Sequence, residues 1–432
     1  MAEAVPWTDP VTQGDDRAMR RRTLTLALLT VTYFFSYMDR QILAILQELI
    51  KADLSLSDTQ LGLLSGLAFA IFYATLGIPV ARLADRTNRR NIIVASLTVW
   101  SAMTAAGGLA MNFWQLLAAR IGVGIGEAGS SPPSHSIIAD LYPPERRAGA
   151  MGVYSLGVVL GAAIGTFIGG TVASFYGWRA AMFAVGLPGV ALAVIVYLFV
   201  VEPRRGLSDP VPETHKGPMP GLAAGFATML RSGPALHLVI AVTLTSMIGY
   251  GLTAWGPSYM QRSLGISILE ISLYVAPIGA VVGTISAVGG GRLADRLART
   301  RGLYAQPWMV AWLKLIALPF TLGFFILDMP VAAVVSYFLY VLFANSYLGP
   351  TFALIQGLAP LRLRALWAAI TLLVINLIGL GLGPTLVGVI SDLLEPTLGA
   401  ESLRWSMFLF AAVTPWAIWH YWRAGVLLKR AG

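Results

Sequence analysis

Asp39, Arg40, Arg120 and Glu127 stand inside long apolar stretches, and their types admit two kinds of chemistry. A buried carboxylate beside a guanidinium exchanges its ionic partner for a proton when its surroundings change, and a guanidinium grips an anionic head group through charge-assisted hydrogen bonds. Each of the four, and Lys314 with them, costs several kcal/mol in an apolar medium unless paired or hydrated, so they are expected to face a protein interior. Arg120 and Glu127 are seven residues apart, two turns along one helical face. Asp39 lies about 24 Å from the start of its stretch, while Arg120 and Glu127 lie about 10 and 21 Å from the opposite end of theirs, so the depths overlap. An Asp-Arg pair therefore meets an Arg-Glu pair, two acids against two bases, in a nearly neutral cluster. One reading is a structural ion-pair network whose carboxylates never titrate. The other is that Asp39 or Glu127 trades its arginine for a proton as a cavity opens to one side and then the other.

Tyr33 and Tyr37 share the helical face of Arg40, and Phe69, Phe72, Tyr73, Tyr250 and Trp255 are further candidates for an apolar cavity wall or for packing between helices. Few charges and many aromatics suit an amphipathic molecule with one anionic or zwitterionic head better than a sugar. His135, His215, His237 and His420 have no metal-ligand spacing, and there is no cysteine, no nucleotide loop and no nucleophile beside a base. Neither an enzyme nor a metal or other cofactor is expected.

The elements that carry these residues follow from composition. With 56 % hydrophobic and 12 % charged residues, the 432-residue chain is far from a soluble domain and reads as an all-α integral membrane protein. A membrane-thickness window gives spans near 23–48, 59–81, 91–112, 113–138, 148–173, 180–201, 234–260, 269–291, 307–327, 331–356, 364–390 and 403–424. That is a tail over 1–22, a six-helix bundle over 23–201, a Pro- and Arg-rich linker over 202–233, a second six-helix bundle over 234–424 and a tail over 425–432. The polar first 22 residues offer no cleavable signal peptide. The pentapeptide Arg-Leu-Ala-Asp-Arg occurs at 82–86 and again at 292–296, so the halves read as repeats of one unit. Of the 30 Lys and Arg, 23 fall on the side of the N-terminus and only Lys51, Arg179, Arg262 and Arg404 on the other, which puts both termini in the cytoplasm. The net charge of +9 is thus a topology signal, and nucleic acid is not an expected partner.

The loop from Ala81 through Arg82-Leu83-Ala84-Asp85-Arg86 to Arg90, and its copy from Gly291 to Arg296, resemble the signature of the major facilitator superfamily, over the whole chain. Asn88 stands where that signature usually has Gly, which suggests a left-handed backbone there. Tyr37-Met38-Asp39-Arg40, the run Arg120 to Ala128, Ile138-Ala139-Asp140-Leu141 and Glu202-Pro203 resemble the spinster-like lipid transporters in their bacterial form. The resemblance implies two pseudo-symmetric six-helix bundles, a monomer in a bacterial inner membrane, and proton-coupled movement of a lysolipid or sphingolipid-like amphiphile by alternating access. It gives proton coupling to Asp39 and Glu127 and the head group to Arg40 and Arg120. It also makes Asp85, Arg86, Arg89, Arg146, Asp295 and Arg296 a cytoplasmic gate that pairs across the halves and locks the outward-facing state. Small organic anions or drug-like compounds are the alternative cargo, because other branches also carry an Asp-Arg pair in the first helix. The stripe Gly157, Gly161, Gly165 and Gly169, and the set Gly379, Gly383, Pro384 and Gly388, read either as tight packing or as a motif of antiporters.

Overall fold

Apolar runs of membrane length satisfy their backbone groups only by closing into helices, and that is what the chain does. The computed structural model describes residues 13–208 and 221–431, and among them there is no strand. Among the described residues twelve long helices, four of them broken into two segments, follow in order. In the N half these are α1 (Arg22–Leu54), α2 (Asp58–Ser65 and Leu67–Arg86), α3 (Arg89–Gly107), α4 (Phe113–Glu127 and Ser131–Leu141), α5 (144–176) and α6 (178–199). In the C half they are α7 (Gly233–Arg262), α8 (Ile268–Arg301), α9 (Ala305–Ile326), α10 (Pro330–Ala344 and Leu348–Leu358), α11 (364–398) and α12 (Ser402–Ala411 and Thr414–Ala431). The α5–α6 corner turns on Gly177, whose φ of 81° favours a residue without Cβ.

The internal repeat extends beyond the pentapeptide. Ser57 and Gln60 close a capping box at the start of α2, and Ser267 and Glu270 close the same box at the start of α8. The offset 267 − 57 is again 210, so both halves launch their second helix with one device.

Two local expectations change. Asn88 is not left-handed: its φ is −77°, and its side chain accepts from the Asn91 N–H at 3.0 Å as the N-cap of α3. An amide at that position is favoured for its capping oxygen. The linker expected over 202–233 is helical over Leu222–Arg231, where buried Met229 and the Trp367 Nε1 bond to Thr228 Oγ1 (3.3 Å) dock it on α11.

The glycine stripe of α5 is a packing surface against α1. A Cβ at Gly157, Gly161 or Gly165 would stand 2.7, 2.3 or 2.8 Å from the backbone of Thr30, Phe34 or Met38. This contact sets the rotation of α1, and with it the direction of Asp39 and Arg40.

Candidate functional site

The four charged residues of the N half meet inside it, on α1 and α4. Glu127 ends the first segment of α4, where Pro132 and Pro133 stop the helix continuing and force a restart at Ser131. Gly124 and Gly126 let that segment lie on α2 and α3, since a Cβ at either would fall 2.7 Å from Phe69 O or Trp100 N. This close approach carries the Glu127 carboxylate to α1. There its Oε2 accepts from Arg40 Nε at 2.8 Å and from Ser36 Oγ at 2.7 Å, with Arg40 NH2 also at 2.7 Å.

The second pair is looser. Arg120 NH1 stands 3.7 Å from Asp39 Oδ1, beyond hydrogen-bond range, and its Nε reaches Leu64 O at 3.4 Å. Asp39 Oδ2 accepts from Thr104 Oγ1 of α3. Asp39, Arg120 and Glu127 are at most 4 % exposed, yet Asp39 Oδ1 and Glu127 Oε1 accept no hydrogen bond among the described residues. A buried carboxylate oxygen left in that condition is costly as an anion.

Arg40 is caged by aromatic faces, with its guanidinium carbon 4.9 Å from the Tyr37 ring, 4.9 Å from Phe69 and 4.5 Å from Tyr73. Tyr33 stacks on Tyr154 at 4.5 Å between centroids and meets Tyr37 edge-on at 5.2 Å.

A cavity of about 480 Å³ lies between the halves. Tyr37 and Gln41 bring α1 to its wall; the C half supplies Tyr250, Tyr337, Tyr340 and Tyr347, and Lys314 is its cation. Of the four residues expected at the substrate site, Tyr37 lines this cavity, while Tyr33 and the two expected head-group residues, Arg40 and Arg120, are not among its lining residues. The physical reason is that both arginines are turned into the N half by their own acids, and Tyr33 by Tyr154. Lys314 is legible in the sequence as a costly residue in an apolar run, but not as part of this wall.

The expected cross-half gate takes a different form here. Arg89 is fully buried and binds within the N half: Asp140 Oδ2, Glu202 Oε1 (2.6 Å), Ser136 Oγ (2.7 Å) and Pro203 O (2.8 Å) all accept from it. The Arg90 N–H adds a bond to Glu202 Oε2 at 2.9 Å, and the Gly206 N–H one to Asp140 Oδ1 at 2.9 Å. Arg89 thus straps the α2–α3 loop, the end of α4 and the start of the linker together. Arg86, Arg146, Asp295 and Arg296 are exposed, and the Asp85 side chain lies outside the described residues.

The halves are instead clasped at the opposite face. Arg262 of α7 gives 2.7 and 2.8 Å bonds to the two oxygens of Asp58 and a 2.7 Å bond to Glu48, both in the N half. Lys51 Nζ (2.6 Å) and Ser391 Oγ (2.7 Å) complete the Asp58 carboxylate. In return, Asp392 of α11 accepts from the N–H groups of Asp58 and Thr59 at 3.0 and 2.7 Å, capping α2 from the other half. Bare backbone allows this: a Cβ at Gly388 would stand 2.2 Å from Asp58 O. Sequence reasoning missed the clasp, although a signal was present. Lys51 and Arg262 are two of only four bases on that face, and Asp58 sits in a capping box beside them.

The model of the Major Facilitator Superfamily matches residues 29–384. An MFS-type efflux pump of Mycolicibacterium smegmatis is 34 % identical over 418 residues, covering 96 % of each chain. A hexuronate transporter of Bacillus subtilis is 29 % identical over 260 residues, 60 % of this chain and 61 % of its own length. The crystal structure of a bacterial homolog to human lysosomal transporter, Spinster, in an inward-facing and unoccupied conformation, superposes with a TM-score of 0.84 at 30 % identity over 95 % of this chain and 98 % of its own. Two six-helix halves around a central cavity, a clasp on one face and this similarity along nearly the whole chain lead to one conclusion: the protein belongs to the Major Facilitator Superfamily and is a spinster-like membrane transporter, not an enzyme.

Proposed function

We propose that the protein is a proton-coupled secondary transporter that moves a lysolipid or sphingolipid-like amphiphile by alternating access across a bacterial inner membrane, as a monomer with both termini in the cytoplasm. The observation that carries this reading is the buried cluster, whose Asp39 Oδ1 accepts no hydrogen bond among the described residues and stands 3.7 Å from Arg120. Asp39 is held less firmly than Glu127, which takes a contact from Arg40 and one from Ser36 at 2.7 Å each. Asp39 is therefore the acid that takes up the proton, with Arg120 released from it as it neutralises. Glu127 keeps Arg40 in place, and Arg40 orders Tyr37 at the cavity wall through its stacked guanidinium.

The cargo follows from the wall. Apolar side chains and five tyrosines around one cation suit a molecule with a long apolar part and a single charged head. With the far face clasped, on our reading the cargo enters from the face of the chain ends, in the cytoplasm-open state of the cycle. A second reading, small organic anions, draws on the hexuronate transporter among the relatives.

The test is flux in proteoliposomes. Labelled lysophospholipid should move faster with an imposed pH gradient, and Asp39→Asn should keep binding but lose the response to the gradient. Gradient-driven uptake that is equal in the variant removes Asp39 from coupling. Glucuronate flux without lipid flux promotes the second reading.

A further inference from the structure

Each buried base of the N-half cluster has a carboxylate; Lys314 has none among the described residues. It sits midway along α9, 6 % exposed, and its ammonium makes a single 3.4 Å contact to Ala344 O. The acids of the C half, such as Asp295, Asp328 and Asp392, fall near helix ends or in loops. An ammonium in an apolar bundle without a counter-ion is among the most expensive arrangements a membrane protein keeps.

The surroundings hold that charge in place and leave it unspent. The first segment of α10 stops at Ala344, so its last carbonyls point along the axis without helical partners, and Ala344 O is the one that receives Lys314. The ammonium lies 4.7 Å from the centroid of the Tyr347 ring, on the face that attracts cations. An ammonium has three donors, and one weak bond leaves two directed elsewhere. Ser246, Asn345 and Tyr347 line the same cavity, and Ser246 Oγ lies 3.2 Å from Tyr347 Oη, so hydroxyl and amide donors gather about the cation.

We propose that Lys314 is the anion-binding residue of the central cavity and takes the carboxylate or phosphate head of the transported amphiphile. The apolar tail then lies along Val275, Ala280 and Val341. This deepens the proposed function and rests on its reading of the cavity as the cargo site. It divides the labour between halves: the N half moves the proton on its acids, and the C half supplies the charge that recognises cargo. Nothing in the sequence separates Lys314 from a buried structural lysine. The break in α10 and the shared cavity do.

The experiment measures binding to the purified full chain in nanodiscs with three probes: palmitoyl lysophosphatidate, monopalmitoylglycerol as its uncharged match, and glucuronate as an anion without a tail. Lys314→Gln keeps a donor for Ala344 O but removes the charge. It should weaken lysophosphatidate about 10- to 100-fold, the loss of a charge-assisted bond. Monopalmitoylglycerol should change less than twofold, and Lys314→Arg should retain most of the anion affinity, which also controls for folding. Equal losses for charged and uncharged lipid, or no loss for either anion, overturn the proposal. So does a wild-type protein that binds neither anion. Lysine-dependent glucuronate binding without lipid binding sustains the anion site while ending the lipid reading, and proton coupling is judged separately by Asp39→Asn.

Discussion

Removing the Arg262 side chain tests whether the far-face clasp holds the two halves in the observed arrangement. Arg262→Gln loses two bonds to Asp58 and one to Glu48, all 2.7 to 2.8 Å and all between halves. Asp58 keeps Lys51 within its own half, so its carboxylate stays compensated, while Glu48, which loses its ion pair, is only part-buried. The loss is therefore smaller than for a fully broken buried pair, about 2–3 kcal/mol, and it falls on the closed far face alone. Converted at about 1.4 kcal/mol per tenfold, the balance between far-face-closed and far-face-open states shifts roughly 30- to 140-fold. The chain has no cysteine, so Ala52→Cys and Thr397→Cys place two spin labels on exposed positions of opposite halves without further changes. Pulsed dipolar spectroscopy should give one short distance in the parent and a second, longer population in Arg262→Gln. Adding Asp392→Asn removes the capping carboxylate from Asp58 and Thr59 and should enlarge that population. An unchanged distance distribution in both variants would refute the assignment of the clasp as the element that biases the halves.

Two further outcomes concern the close approach at Gly388 and the Arg89 strap. Gly388→Ala should lower the melting temperature and lengthen the same label distance, because its Cβ would stand 2.2 Å from Asp58 O and overpacking costs about 1–3 kcal/mol; Gly249→Ala, with nothing within 4 Å, should leave both readouts unchanged. Arg89→Ala should destabilise the N half by about 3–5 kcal/mol, since Asp140 and Glu202 lose their common cation. A thermal melt of the variant equal to the parent would show that the strap contributes little.

The twelve helices were legible because membrane spans declare themselves by length and hydropathy, and each expected span falls on a helix. The expectation for Arg89 went differently, and the reason is instructive. A short basic loop between helices carries no information about which acid it finds; Asp140 and Glu202 lie 51 and 113 residues away and converge only when α4 and the end of α6 arrive together. The cavity cation was hidden for the same reason. One Lys in an apolar run signals cost but not direction, and direction depends on the helix break at Ala344.

By itself the sequence determined the all-helical membrane class, the twofold repeat and the inward placement of Asp39, Arg40, Arg120 and Glu127. Those follow from the free energy of placing each residue type in an apolar medium, which is local and additive along the chain. Only the tertiary structure decided the pairings: Arg40 with Glu127, Asp39 held loosely by Arg120, Arg262 on Asp58, and Lys314 open to the cavity. Pairing depends on helix rotation and on close backbone approach at glycines such as Gly124, Gly161 and Gly388. Those quantities belong to the assembled bundle, and no single stretch of chain contains them.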